Sequence, residues 1–203
     1  MNKLRNLMFA FVAMSGINQS YAIAESFYIG GQAGRSNLHN KTQTITSGSN
    51  TELVSASNTG FGGRIFGGYQ YTYLGFETGF TYYYPSKYSN SITVGTPSIT
   101  TTALDFVGKG TWVSPIGLGV YGKAGIAIAF LGQSGSINGG GNSTKVRPTA
   151  GVGVSYDFAQ TWVADVSWSR IFSAGGTTFQ NADLIALGLS YHFVDKYCGQ
   201  FLC

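Results

Sequence analysis

Residues 116–132 read IGLGVYGKAGIAIAFLG, seventeen positions in which Lys123 is the only charge. Two structures compete for such a stretch, a helix crossing a membrane and a strand with two unlike faces. The helix fails. Its five glycines each cost about 1 kcal/mol relative to alanine, and a lysine near the centre of a lipid-bound helix adds about 3 kcal/mol more. As a strand the stretch separates cleanly. Leu118, Val120, Gly122, Ala124, Ile126, Ile128 and Phe130 share one face, and Gly119, Tyr121, Lys123, Gly125, Ala127 and Ala129 share the other.

Working outward, the period of two recurs. It predicts eight strands over about 26–36, 60–70, 74–84, 101–112, 118–131, 146–156, 161–171 and 183–193. In the last, Ile185, Leu187, Leu189, Tyr191 and Phe193 oppose Ala186, Gly188, Ser190 and His192. Three connections are short: 71–73, 113–117 with Pro115, and 157–160. Four are long and rich in Ser, Thr, Asn and Gly: 37–59, 85–100, 132–145 and 172–182. Short and long alternate strictly, as in a barrel with short periplasmic turns and longer extracellular loops. Hydrocarbon also demands closure, because an open sheet edge leaves backbone groups unpaired. The expected fold is all-β, an eight-stranded antiparallel up-and-down transmembrane β-barrel.

Composition agrees. Only 10% of the 203 residues are charged, against about 25% in soluble domains. A soluble β-sandwich would explain neither that poverty nor the alternation of connections. Aromatics form two expected belts. Tyr71, Tyr73, Trp112, Tyr156, Phe158, Trp162, Tyr191 and Phe193 lie near the short turns; Tyr82, Tyr83, Tyr84, Phe130 and Phe172 lie near the long loops.

Residues 1–24 read as a secretory signal peptide. Lys3 and Arg5 precede an apolar run from Leu7 to Ile17, followed by Ala22-Ile23-Ala24, with cleavage after Ala24 or after Ala22. The run is too short to span a bilayer. Export places the chain in the outer membrane, with the barrel over 25–193 and a periplasmic tail over 194–203. Without Lys3 and Arg5 the net charge falls from +4 to +2. The remaining bases are scattered, so nucleic acid is not an expected partner.

Arg64, Glu77, Asp105, Lys109, Lys123 and Asp165 all fall on the face opposite the bulky residues. A base facing lipid at the midplane costs about 2–4 kcal/mol, so that face is the lumen. Eight strands leave an interior just wide enough for side chains to fill. These six charges are expected to form an internal ion-pair network.

Residues 60–85, GFGGRIFGGYQYTYLGFETGFTYYYP, resemble the second and third strands of the transmembrane domain of the outer-membrane protein A family. LGLSYHF at 187–193 resembles its final strand. The resemblance implies a lumenal ion pair at Glu77 and Lys109 that plugs the barrel. It also implies an assembly signal at Gly188, Tyr191 and Phe193, read by the barrel assembly machinery. A second lumenal pair of the family reads Ser155 and Val163 here, with Lys123 and Asp165 as substitutes. The sequence stops at Cys203, so the peptidoglycan-binding domain of full-length relatives is not expected.

Other chemistry is sparse. His39, Asp183 and the loop serines are the residues a lipid-modifying barrel enzyme would use; a lone loop histidine more commonly serves as a solvated polar group. His192 lies at the opposite end. Gly117, Gly119 and Gly122 match the spacing of a dinucleotide fingerprint without the helix it needs. Cys198 and Cys203 either close a small disulfide or stay reduced, and no set of four metal ligands can be assembled around them. No cofactor and no enzymatic activity are expected. The leading reading is a surface-interaction protein that displays four loops on a plugged barrel, with adhesion as a use. The alternatives are a narrow pore for ions or small solutes, then a lipid-modifying enzyme. Expected partners are outer-membrane lipid and lipopolysaccharide, the assembly machinery and a surface ligand met by the loops.

Overall fold

The computed structural model describes residues 25–39, 43–47, 50–54, 56–88, 98–134, 142–159, 161–173 and 181–193. The expected signal peptide, the tail with Cys198 and Cys203, and the tips of several loops lie outside the described residues. Eight strands form the wall: β1 Ser26–Leu38, β2 Thr59–Tyr71, β3 Leu74–Tyr88, β4 Ser98–Val113, β5 Leu118–Ser134, β6 Asn142–Ala159, β7 Trp162–Ile171 and β8 Ala182–Phe193. Each runs antiparallel to its sequence neighbours. β8 returns to pair with β1 from Phe27↔Phe193 to Leu38↔Ala182, and the sheet closes.

The short turns follow local chemistry. Gly117 takes a positive φ of 80° between β4 and β5, a conformation that costs glycine little. Its carbonyl accepts the Asp157 amide at 2.9 Å and ties this turn to the end of β6.

At the other end the strands run further than the polarity of the sequence suggests. β3 continues to Tyr88, β4 starts at Ser98, β5 ends at Ser134 and β6 starts at Asn142. Within the connection expected as a loop over 37–59, Gln43–Ser47 pairs with Asn50–Val54, and Ala56–Ser57 pairs with β3. Ser, Thr and Asn there mark departure from hydrocarbon and not the end of the ladder, since a hairpin beyond the bilayer can bear polar residues on both faces. Two prolines fit without loss of ladder bonds. Pro85 sits at the register shift between Tyr83 and Ser86. Pro148 lies where β7 has ended, and its carbonyl accepts the Phe172 amide at 2.9 Å.

The outer wall is apolar. Ile29, Phe76, Phe106, Ile126, Val152 and Leu187 are all exposed on it. Tyr71, Tyr73, Trp112, Tyr156, Phe158, Trp162 and Phe193 are exposed at the turn end, and Tyr82, Tyr84, Phe130 and Phe172 at the long-loop end. Tyr83 departs from the expected belt. It is 2% exposed and points inward, because its odd number places it on the face of Glu77 and not of Tyr82 and Tyr84.

Candidate functional site

The interior is where this barrel concentrates its ionised groups. Arg64 on β2 reaches past β3 to Asp105 on β4 and donates twice, at 2.6 Å from Nη2 and 3.1 Å from Nε. Its Nη1 lies 2.8 Å from Glu77 Oε1. Lys123 Nζ stands 3.4 Å from the same oxygen, and the Tyr28 hydroxyl donates to Oε2 at 3.0 Å. Glu77 is the hub. Lys109, the partner implied by the family resemblance, is the most distant of these groups at 3.9 Å. Its ammonium lies 4.7 Å from the ring centre of Tyr121 and 4.9 Å from that of Tyr28, within cation–π range.

Missing side chains make this crowding possible. Gly79 is paired with Asp105 across β3 and β4, and a Cβ there would overlap the Arg64 guanidinium. Gly153 leaves the space that the Tyr121 ring occupies. Tyr121 donates to Asp165 at 2.7 Å, and Gln32 Nε2 donates to the same oxygen at 2.6 Å. Among the described residues Asp165 forms no ion pair with Lys123, so these two do not stand in for the family's second pair. Ser155 and Val163 instead line a space beside His192, Gln70 and Lys109.

On the turn side of Lys109 and Asp165 the lumen is lined by the neutral polar residues Gln70, Ser155, Ser190 and His192. His192 stacks on Tyr28 with centroids 4.9 Å apart and rings 13° from parallel. Its Nδ1 lies 3.2 Å from Ser26 Oγ, and its Nε2 3.5 Å from Ser190 Oγ. The implied assembly residues separate by face. Gly188 lies inward beside Asp165 and Gln32, while Phe193 is exposed and Tyr191 packs edge-on against Trp162 and Phe193.

Toward the long loops an apolar cluster gathers in the lumen, beside buried Ser36, Thr101 and Thr149, which the reading of the sequence missed. Leu38, Tyr83, Ile99, Leu131, Ile171 and Leu184 meet with Ala103, Ala127, Ala182 and Ala186 in one buried cluster. The signal was present in the inward residues. From the turn end, β5 reads Tyr121, Lys123, Gly125, Ala127, Ala129, Leu131, and β8 reads His192, Ser190, Gly188, Ala186, Leu184, Ala182. Two of the spaces beside the charged layer measure about 20 Å³ on the turn side and about 10 Å³ on the loop side. Each is about the size of a single water.

At the rim His39 is not alone. Its Nε2 lies 2.8 Å from Asp183 Oδ2, and Asp183 also accepts two bonds from Arg170, at 2.6 and 2.7 Å. The trio ties the ends of β7 and β8 to the residue that leaves β1.

A family model described as the OmpA-like transmembrane domain matches residues 22–197. The chain belongs to the OmpA-like transmembrane domain family. Its place is therefore the bacterial outer membrane. An uncharacterized protein of Coxiella burnetii is 27% identical, with 90% of this chain and 92% of that one covered. Among solved structures, Neisserial surface protein A overlays with a TM-score of 0.57 at 15% identity, covering 82% of this chain and 97% of that one. Outer membrane protein OprG of Pseudomonas aeruginosa gives 0.55 at 11%, covering 83% and 97%. The attachment invasion locus protein Ail of Yersinia pestis, solved with the heparin analogue sucrose octasulfate, gives 0.51 at 13%, covering 84% and 99%. At such identities these likenesses report the fold alone.

Proposed function

We propose that this OmpA-like barrel is a sealed scaffold whose long connections face the outside of the cell and meet surface ligands there. The observation that carries the reading is the interior. A charged layer around Glu77 and an apolar cluster around Tyr83 follow one another along the lumen, with room for about one water on either side of the first. A conducting pore needs a continuous wet path, and two unlike obstacles in series oppose one. The loops, in contrast, vary in length and polarity on a rigid frame, the usual arrangement for recognition.

The enzyme reading is weakened by the use already made of Asp183. Arg170 takes both of its oxygens, which suits a clamp at the base of two loops better than an orienting acid for catalysis. Residues 188, 191 and 193 are read as the assembly signal, since Phe193 faces lipid at the turn end.

The test is adhesion of cells that display the protein to surfaces coated with a sulfated polysaccharide or with extracellular-matrix protein. Exchanging residues 132–145 or 172–182 for short turns should abolish attachment while the heat-modifiable band of the folded barrel persists on gels. Attachment that survives loss of all four loops would refute the reading. The pore alternative is tested by conductance. Lys109→Glu alone, which would open a barrel closed only by charge pairs, should leave it closed because the apolar cluster remains.

A further inference from the structure

The wall of the barrel rises unevenly at the long-loop end. β7 stops at Ile171, opposite Thr149 of β6, whereas β5 and β6 stay paired up to Gly132↔Asn142. Residues 142–147 of β6 stand above the point where β7 has ended, and among the described residues no strand pairs with them on that side. At about 3.3 Å per residue they offer about 20 Å of ladder edge. The opposite flank of the raised wall is covered, because Ala56 and Ser57 pair with Tyr88 and Lys87 at the top of β3.

The backbone fixes which groups the open flank presents. The Phe172 amide donates to the Pro148 carbonyl at 2.9 Å, so the main chain of Pro148 faces the β7 side. Alternation turns the N–H and C=O of Val146 and Thr144 to that same side, while Ser143, Lys145 and Arg147 stand opposite Leu131, Ala129 and Ala127 and direct theirs to β5. Side chains alternate too. Val146 is 62% exposed on the outer face. Lys145 and Arg147 share the inner face with their buried partners Ala129 and Ala127, and Lys145 is exposed. None of the ion pairs among the described residues involves Lys145. A row of open N–H and C=O groups is complemented by another extended backbone, and cations on one face of that row select acids at alternate positions of the incoming strand.

We propose that residues 142–147 are a docking edge for an extended, acidic segment of a partner protein, which adds a strand to β6. The site rests on the reading that the long-loop end faces outside and meets surface ligands, and it narrows the ligand to polypeptide. A second copy of the chain fits worse. Two barrels in one membrane are related by an axis along its normal, so their β6 edges run parallel and present opposite faces. Two barrels in apposed membranes can bring these edges together antiparallel. The two-fold register that joins Thr144 to Val146 then sets Lys145 against Lys145, and like charges directly opposite are destabilising.

The test uses the full mature protein in phosphatidylcholine nanodiscs and a short labelled peptide that alternates Glu with Thr, with binding read by fluorescence anisotropy. The same peptide with alternate amides N-methylated, and one with Lys in place of Glu, serve as comparisons. The parent should bind the acidic peptide and neither of the others. Thr144→Pro/Val146→Pro removes only N–H groups on the open flank and should weaken binding about tenfold through the loss of two hydrogen bonds. Val146→Ala keeps its N–H and should bind as the parent does, and Lys145→Glu/Arg147→Glu should transfer the preference to the lysine peptide. Every variant must show the folded band on an unboiled gel; Thr144→Pro alone replaces the double variant should that one not fold. No binding to the parent, equal binding of the N-methylated peptide, or binding that survives the proline substitutions would each overturn the proposal. Cells carrying the proline variant that attach like the parent in the adhesion assay would remove this site and leave the surface-ligand reading standing.

Discussion

The two halves of the lumen are filled by opposite means. Near the turns, Arg64, Glu77, Asp105, Lys109 and Lys123 interlock through directional contacts. Near the loops, Leu38, Tyr83, Ile99, Leu131, Ile171 and Leu184 pack in one apolar cluster. The charged half is specific and brittle, since each ion depends on the others. The apolar half is tolerant, since its stability grows with area and volume. A barrel that needed only rigidity could have used either. If the barrel is sealed as proposed, having both in series would keep it closed when one fails.

The comparison can be broken first at Glu77. Glu77→Ala leaves buried Arg64 and Lys123, and half-buried Lys109, with one fewer anion, and loss of one partner in a buried pair costs about 3–5 kcal/mol. Urea unfolding from lipid vesicles should show that loss. Leu184→Ala removes volume from the apolar half without stranding a charge. The expected cost is about 2–5 kcal/mol, and Leu184→Met should recover most of it in the same assay. A smaller effect separates two glycines. Gly79→Ala pushes against the Arg64 guanidinium and should cost about 1–3 kcal/mol by overpacking. Gly110→Ala, where a Cβ meets nothing within 4 Å, should stay within about 0.5 kcal/mol of the parent.

Much of the barrel was legible because its signals are local. The period of two, the alternation of short and long connections and the placement of six charges on one face need only the sequence. What escaped needs the third dimension. Arg64 and not Lys109 lies closest to Glu77, because a guanidinium can pass over Gly79 while the Lys109 ammonium settles between Tyr28 and Tyr121. No count along the chain reveals which glycine a neighbouring strand will fill. Tyr83 was misplaced for a simpler reason. Distance from the loops groups it with Tyr82 and Tyr84, although alternation assigns it to the lumen. The apolar half was likewise written in the inward residues of β5 and β8, but only closure of the sheet shows that they meet. Polar ladders such as β4–β5 from Ser98↔Ser134 look like loops in the sequence, because polarity reports surroundings rather than pairing.

The direct test of closure by two seals in series is single-channel recording in planar bilayers on four proteins: the parent, Lys109→Glu, Ile99→Ser/Leu184→Ser, and the combination of all three substitutions. The parent and the two partial variants should show no discrete openings, and the combined variant should conduct. Openings in the parent, or in Lys109→Glu alone at the level of the combined variant, would contradict it.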